Sequence, residues 1–159
     1  MKKAVLFEEK QQFSKIFLWL LSVFVMGIPL YGIIVQIFLK KPFGNNPMSD
    51  IGLIVFALGM LAFCGFFWSM TLTTKIDAKA ISVRYVPFFN KQFKWEDIDK
   101  AEIIKYHFVG FGIRLSFKYG TVYNIKGNLG MALHLKDGKK YLIGTQKPEE
   151  LQKAIATFL

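Results

Sequence analysis

Two apolar stretches without a single charged residue, residues 16–39 and 51–72, constrain this chain more than any other feature. Each is long enough to cross a hydrocarbon core of about 30 Å at about 1.5 Å of rise per residue. Between residues 16 and 72 the only charges are Lys40, Lys41 and Asp50. The reading is therefore a two-helix membrane hairpin carrying one soluble domain. Its parts are an N-terminal segment at 1–15, a first span at 16–39, a short turn at 40–50, a second span at 51–72 and a domain at 73–159.

A cleaved signal peptide is the competing account of the first run. The run exceeds a typical signal core of about 7–15 residues and ends in Gln36-Ile37-Phe38-Leu39-Lys40-Lys41, with no small-residue cleavage site. A retained helix follows, with Pro29 predicting a kink. The second span carries small residues at Gly52, Gly59, Ala62, Gly65 and Ser69, read as the face that lets the first helix approach, or else as a homodimer face. Lys2, Lys3, Lys10 and Lys15 precede the first span, and Lys75, Lys79 and Arg84 follow the second; the turn has only Lys40 and Lys41. That asymmetry predicts both termini in the cytoplasm of an inner, multi-pass membrane protein. Cys64 has no partner cysteine, so no intrachain disulfide can form.

After the second span the periodicity drops to two. Ile81, Val83 and Tyr85 alternate with Ser82 and Arg84, and Phe93 and Trp95 alternate with Gln92 and Lys94. Ala101 and Ile103 alternate with Glu102 and Ile104. Ile113, Leu115, Phe117 and Tyr119 alternate with Arg114, Ser116 and Lys118, and Met131, Leu133 and Leu135 with His134 and Lys136. These are half-buried strands. Lys136-Asp137-Gly138-Lys139 reads as a tight hairpin. Pro148, Glu149 and Glu150 then open an amphipathic helix carrying Leu151, Ala154, Ile155, Phe158 and Leu159. The fold class expected is α+β: a transmembrane hairpin, then a seven-stranded antiparallel bent barrel closed by a C-terminal helix.

Three segments carry a family resemblance. Lys94-Trp95-Glu96-Asp97-Ile98 is similar to an aromatic–acid–Asp–Ile element, and Gly110-Phe111-Gly112-Ile113-Arg114 to a Gly-aromatic-Gly-Ile-Arg element. The stretches 123–127, 130–138 and 142–151 resemble the same family's final strands and helix start. Together they resemble the bacterial pleckstrin-homology (PH) domain families, in which a transmembrane hairpin often precedes the domain. The resemblance spans about residues 71–159. It implies a PH-like fold and membrane anchoring, with no assigned reaction and no cofactor. One departure matters: the first hairpin holds Lys75, Asp77, Lys79 and Arg84 and lacks a dense basic triplet, so phosphoinositide recognition does not carry over.

Catalytic chemistry finds no constellation. His107 and His134 lie in different segments, short of the three or four convergent ligands of a metal site. Glu96, Asp97, Asp99 and Glu102 read as a solvated turn. Gly110-x-Gly112 runs into a strand and so is no phosphate cradle. Catalytic, metal and cofactor residues are accordingly none. Arg114 reads as an ion pair with Glu96, Asp97 or Asp99, or as an anchor for an acidic group. Residues 71–159 hold 15 Lys and Arg against 8 Asp and Glu, net +7. Close to an anionic leaflet that charge is attractive; scattered as it is, it does not form a nucleic-acid motif. The expectation is a membrane-anchored module, no enzyme, binding a protein or peptide partner. Weak anionic-lipid contact is the alternative, with Lys75, Lys79, Arg84 and Arg114 as the candidate contacts.

Overall fold

The computed structural model describes residues 5–107 and 112–158. They divide into two units: residues 13–69, and the N-terminal strand together with everything from Met70 onward.

The first unit is helical. Helix α1 (Lys15–Ile33) starts at Ser14, whose Oγ accepts a hydrogen bond from the Phe17 amide at 3.0 Å. It contains Pro29 and continues as a π-helical turn at Ile34–Phe38. Helix α2 spans Asp50–Ser69. Both are long and apolar enough to cross a membrane. Large apolar side chains such as Ile16, Phe24 and Ile51 are exposed around them. Polar bonds tie the pair at both ends: Gln36 Nε2 donates to Met48 O at 2.8 Å and to Asp50 Oδ1 at 2.7 Å, and Trp68 Nε1 to Ser22 Oγ at 3.2 Å. Trp19 meets Trp68 edge-on at 6.1 Å.

The small residues of α2 do not form the helix contact expected of them. Gly59, Ala62, Gly65 and Ser69 are exposed, and a Cβ added at Gly59 or Gly65 would meet nothing within 4 Å. The face that α2 buries is instead Leu53, Ala57 and Cys64, residues four and then seven apart on one side of the helix. Close approach occurs at Gly32 of α1, where a Cβ would lie 2.9 Å from the Phe43 ring.

The second unit is built of strands. β1 (Val5–Gln12), β2 (Thr71–Asp77), β3 (Ala80–Val86) and β4 (Phe89–Lys94) form an antiparallel sheet in that order. The second span therefore ends before Thr71: Thr71 and Leu72, apolar enough to extend the run, belong to β2. A 3₁₀ turn at Trp95–Asp97 leads to the second sheet. Its strands are β5 (Ile98–Lys105), β6 (Gly112–Ser116), β7 (Gly120–Asn124), β8 (Leu129–Leu135) and β9 (Lys140–Gly144), in the order β5-β8-β9-β7-β6. Helix α3 (Pro148–Ile155) follows.

This corrects the expected barrel. The described residues make nine strands in two sheets rather than seven in one, and β7 runs parallel to β9. The parallel pair arises because the β8–β9 hairpin folds back to seat β9 beside β7, leaving β8 on its far side. The extra first strand comes from the segment before α1.

The core lies between the sheets. Ile81, Val83 and Tyr85 are fully buried, as their alternation requires, and face Met131, Leu133 and Ile143 of the second sheet's inner face. Phe89 packs on Tyr123 at 4.5 Å and Phe93 on Tyr141 at 4.8 Å. Helix α3 touches β1 and β5 and buries Leu151, Ala154 and Ile155. Phe158 lies beyond the helix and stacks on Trp95 at 4.4 Å. With Leu151 fully buried, Leu151→Ala is expected to cost about 2–5 kcal/mol, read as a fall in denaturant midpoint. No change in midpoint would remove α3 from the core.

Candidate functional site

β1 is the element that sequence patterning misses. Its inward side chains are Phe7, Glu9 and Gln11, all about 5% exposed or less. Only one is apolar, so the alternation is hidden. Each polar one has a defined task. Glu9 Oε2 accepts from Thr145 Oγ1 at 2.6 Å and Oε1 from the Gln146 amide at 2.7 Å, while Gln11 Nε2 donates to Gly144 O at 2.7 Å. Thr145 Oγ1 in turn accepts from the Lys147 amide at 3.0 Å, one residue before α3 begins. A carboxylate beside a helix start is favourably placed. Glu9 is thus a fastener between β1 and the β9–α3 corner.

The basic residues singled out from sequence separate into two places. Lys75 and Arg84 stand on the outer face of the first sheet. Lys75 pairs across strands with Glu8 at 2.8 Å, half-exposed, an interaction worth little on its own. Lys79 sits in the β2–β3 turn, its amide bonded to Asp77 Oδ1 at 2.8 Å. Lys10 shares a row with Thr73, Arg84 and Asn90. Arg114 lies elsewhere, exposed on β6, at the opposite edge of the second sheet from Asp99 and Glu102 of β5. The acids do not converge. Glu96 pairs with Lys94 at 3.1 Å, both exposed, and half-buried Glu102 with exposed Lys100 at 2.7 Å. Among the described residues no group of three or more His, Cys, Asp or Glu could hold a metal ion.

A different surface draws attention: the end of the second sheet where β6 turns into β7. Ile113, Leu115 and Phe117, read from sequence as a buried set, are 39%, 88% and fully exposed. The alternation is real, since Ile113 and Leu115 share the inner face with Tyr123 and Thr121 across the ladder. But β6 is the last strand of its sheet, and the aromatic packing that reaches Tyr123 and Tyr141 does not reach it.

Beside Leu115 and Phe117 lies a groove of about 450 Å³, completed by Thr121, Lys139, Lys140 and Tyr141. On the sheet's other face a second groove of about 440 Å³ has Ile104, Ala132 and Tyr119 in its floor and Lys105, Lys118, His134 and Lys140 around it, with Glu102 as its acid. Lys140 and Tyr141 belong to both. Lys139 is paired with Asp137 at 2.6 Å, and that hydrogen bond holds the Asp137 carboxyl below and the Lys139 ammonium above their ordinary ranges. Lys118 and Lys140 have no carboxylate partner among the described residues; the Lys118 ammonium sits 5.2 Å from the Tyr119 ring centre. Lys91 reaches Tyr141 from β4, donating to its hydroxyl and lying 4.1 Å from its ring centre.

Buried Tyr106 props this second face. Its ring lies over Gly130, where a Cβ would come within 3.0 Å of it, and meets Tyr119 edge-on at 6.2 Å. Burial pushes its hydroxyl up to about 12, so it stays protonated near neutrality.

The strand ladder fixes where this end stands. Gln12 and Thr71, through which the unit continues into α1 and α2, pair at one end of the first sheet. That end meets the C-terminal ends of β7 and β9, through Gln11–Gly144 and Phe89–Tyr123. Lys140 lies at the opposite end of β9, and Phe117 in the turn that leads into the opposite end of β7.

No known family model matches the chain, and no curated protein matches its sequence.

Proposed function

We propose that this chain is a membrane-anchored interaction module: a two-span hairpin holding a PH-like domain at the cytoplasmic face, where it receives a protein partner. The observation that carries this reading is the exposed Leu115 and Phe117 beside Lys118 and Lys140, at the end of the strand unit opposite its two connections to the helices. Exposed aromatic and aliphatic side chains rimmed by charge are what binding surfaces present. Purification of the full chain from native membranes should retain a protein that is lost with Leu115→Ser and Phe117→Ser together. Retention unchanged by that double variant would move the partner site elsewhere.

The lysine asymmetry across the spans supports both termini in the cytoplasm. In a Cys64→Ala background, Asn45→Cys should react with an impermeant thiol reagent in intact cells, and Asn128→Cys should not. The opposite labelling would invert the protein.

A second reading, contact with anionic lipid, is favoured by Lys10, Lys75 and Arg84 on the outer face of the first sheet. Lys10 and Arg84 are two rungs from the Gln12–Thr71 end. They form no enclosed headgroup pocket, and Lys75 is already paired. Binding of the strand unit to anionic vesicles is therefore expected to be weak, to fall several-fold between low and physiological salt, and to show no preference for one phosphoinositide. Salt-resistant binding to one lipid, abolished by Arg84→Ala, would promote the lipid reading.

A further inference from the structure

We propose that the open edge of β6 is a strand-addition site for an extended partner segment that alternates apolar and acidic residues. This rests on the interaction-module reading and gives it a place and a chemistry.

The four outer strands of the two sheets are β1, β4, β5 and β6. Helix α3 lies against β1 and β5. β4 presents Asn90, Gln92 and Lys94 to solvent and passes straight into the 3₁₀ turn, its other side chains packed on the second sheet. Polar or covered edges of this kind resist pairing. β6 differs. Among the described residues its only neighbour is β7, and it exposes Ile113 and Leu115 on one face. An added strand would bond the backbone groups that no described strand pairs and lay every second side chain against Ile113 and Leu115.

Charge selects the occupant. At the end of β6 the groove beside Leu115 and Phe117 accepts an apolar side chain and is lined by Lys140, while Lys118 lines the groove on the sheet's other face beside the same Lys140; neither lysine has a carboxylate partner among the described residues. An acidic residue next to the apolar anchor would meet them. A second copy of this chain is a poor occupant: the protein carries net +10, so two copies repel, and β6 offers no acidic residue to meet the lysines.

The test pans the full chain, held in nanodiscs of mixed zwitterionic and anionic lipid, against a random decapeptide display library. Enriched peptides should alternate apolar with Asp or Glu. Their affinity, measured as synthetic peptides by fluorescence anisotropy, should fall at least tenfold with Leu115→Lys, and likewise with Lys118→Glu and Lys140→Glu together. Methylating alternate backbone amides of the peptide should cause a similar loss, which a contact made by side chains alone would not show. All three positions are exposed, and an unchanged melting temperature verifies that the variants fold. Peptides that bind but ignore these changes overturn the β6 site while leaving the interaction module standing. No enrichment, with a photoreactive residue at 115 cross-linking to lipid alone, overturns both.

Discussion

Gly120→Ala is expected to destabilise the strand unit by at least about 3 kcal/mol, enough to remove its cooperative melting in detergent. Gly120 sits at the start of β7 with φ of +71°, where a side chain alone costs about 1–3 kcal/mol. A Cβ there would also lie 2.0 Å from the Lys140 carbonyl oxygen and 2.6 Å from its carbon. Those are backbone atoms at the head of β9 and cannot swing aside as a side-chain tip would. Relief requires parting β7 from β9, the one parallel pair in the second sheet. Gly138 is the control. Its φ is +83°, but a Cβ would meet nothing within 4 Å. Gly138→Ala should therefore show the strain alone, and equal losses from the two variants would refute the close approach at Lys140.

The second large effect concerns what folds alone. Sequence patterning marks residues 73–159 as self-sufficient, yet this fragment lacks β1 and begins inside β2. It loses Phe7 from the core, strips the Thr145 hydroxyl and Gln146 amide of Glu9, and frees one side of β2. It is expected to show no cooperative unfolding. By contrast, replacing residues 13–70 with Asn-Gly should give a water-soluble, cooperatively folded protein. Gln12 and Thr71 face each other across an antiparallel ladder, and a two-residue type I′ turn spans that gap. The readout is urea unfolding followed by tryptophan fluorescence, with Trp95 as the reporter. A folded 73–159 fragment, or an unfolded Asn-Gly protein, would show that β1 is dispensable or misassigned.

What could be read without the structure divides along physical lines. The helices were legible because a run with no charge has few other fates, and β3 because Ile81, Val83 and Tyr85 fill one face with apolar groups. β1 was not, because its inner face holds Glu9 and Gln11, whose partners at 144–146 lie at the other end of the chain. The end of α2 was overshot because Leu72 is apolar in helix and strand alike. For Ile113, Leu115 and Phe117 the pattern gave the correct face and the wrong environment. Alternation reports which residues share a side, but only sheet order reveals that β6 is outermost. The site proposed there thus rests on topology: the contacts offered by sequence were Lys75, Lys79, Arg84 and Arg114, and neither Lys118 nor Lys140 was among them.

The pairing of β1 with β2 has a consequence for how the protein is made. β1 leaves the ribosome first, but its partner strand does not exist until both apolar helices have been synthesised. The ladder can close only if the chain returns to the side from which it set out. If the helices span a bilayer as proposed, a product whose second helix failed to cross would strand β1 and β2 on opposite sides, with Glu9 and Thr145 held apart. On that reading, closure of the sheet is a built-in test of correct insertion. On the membrane-anchored reading proposed above, the strand unit could not assemble until the two helices had been threaded an even number of times.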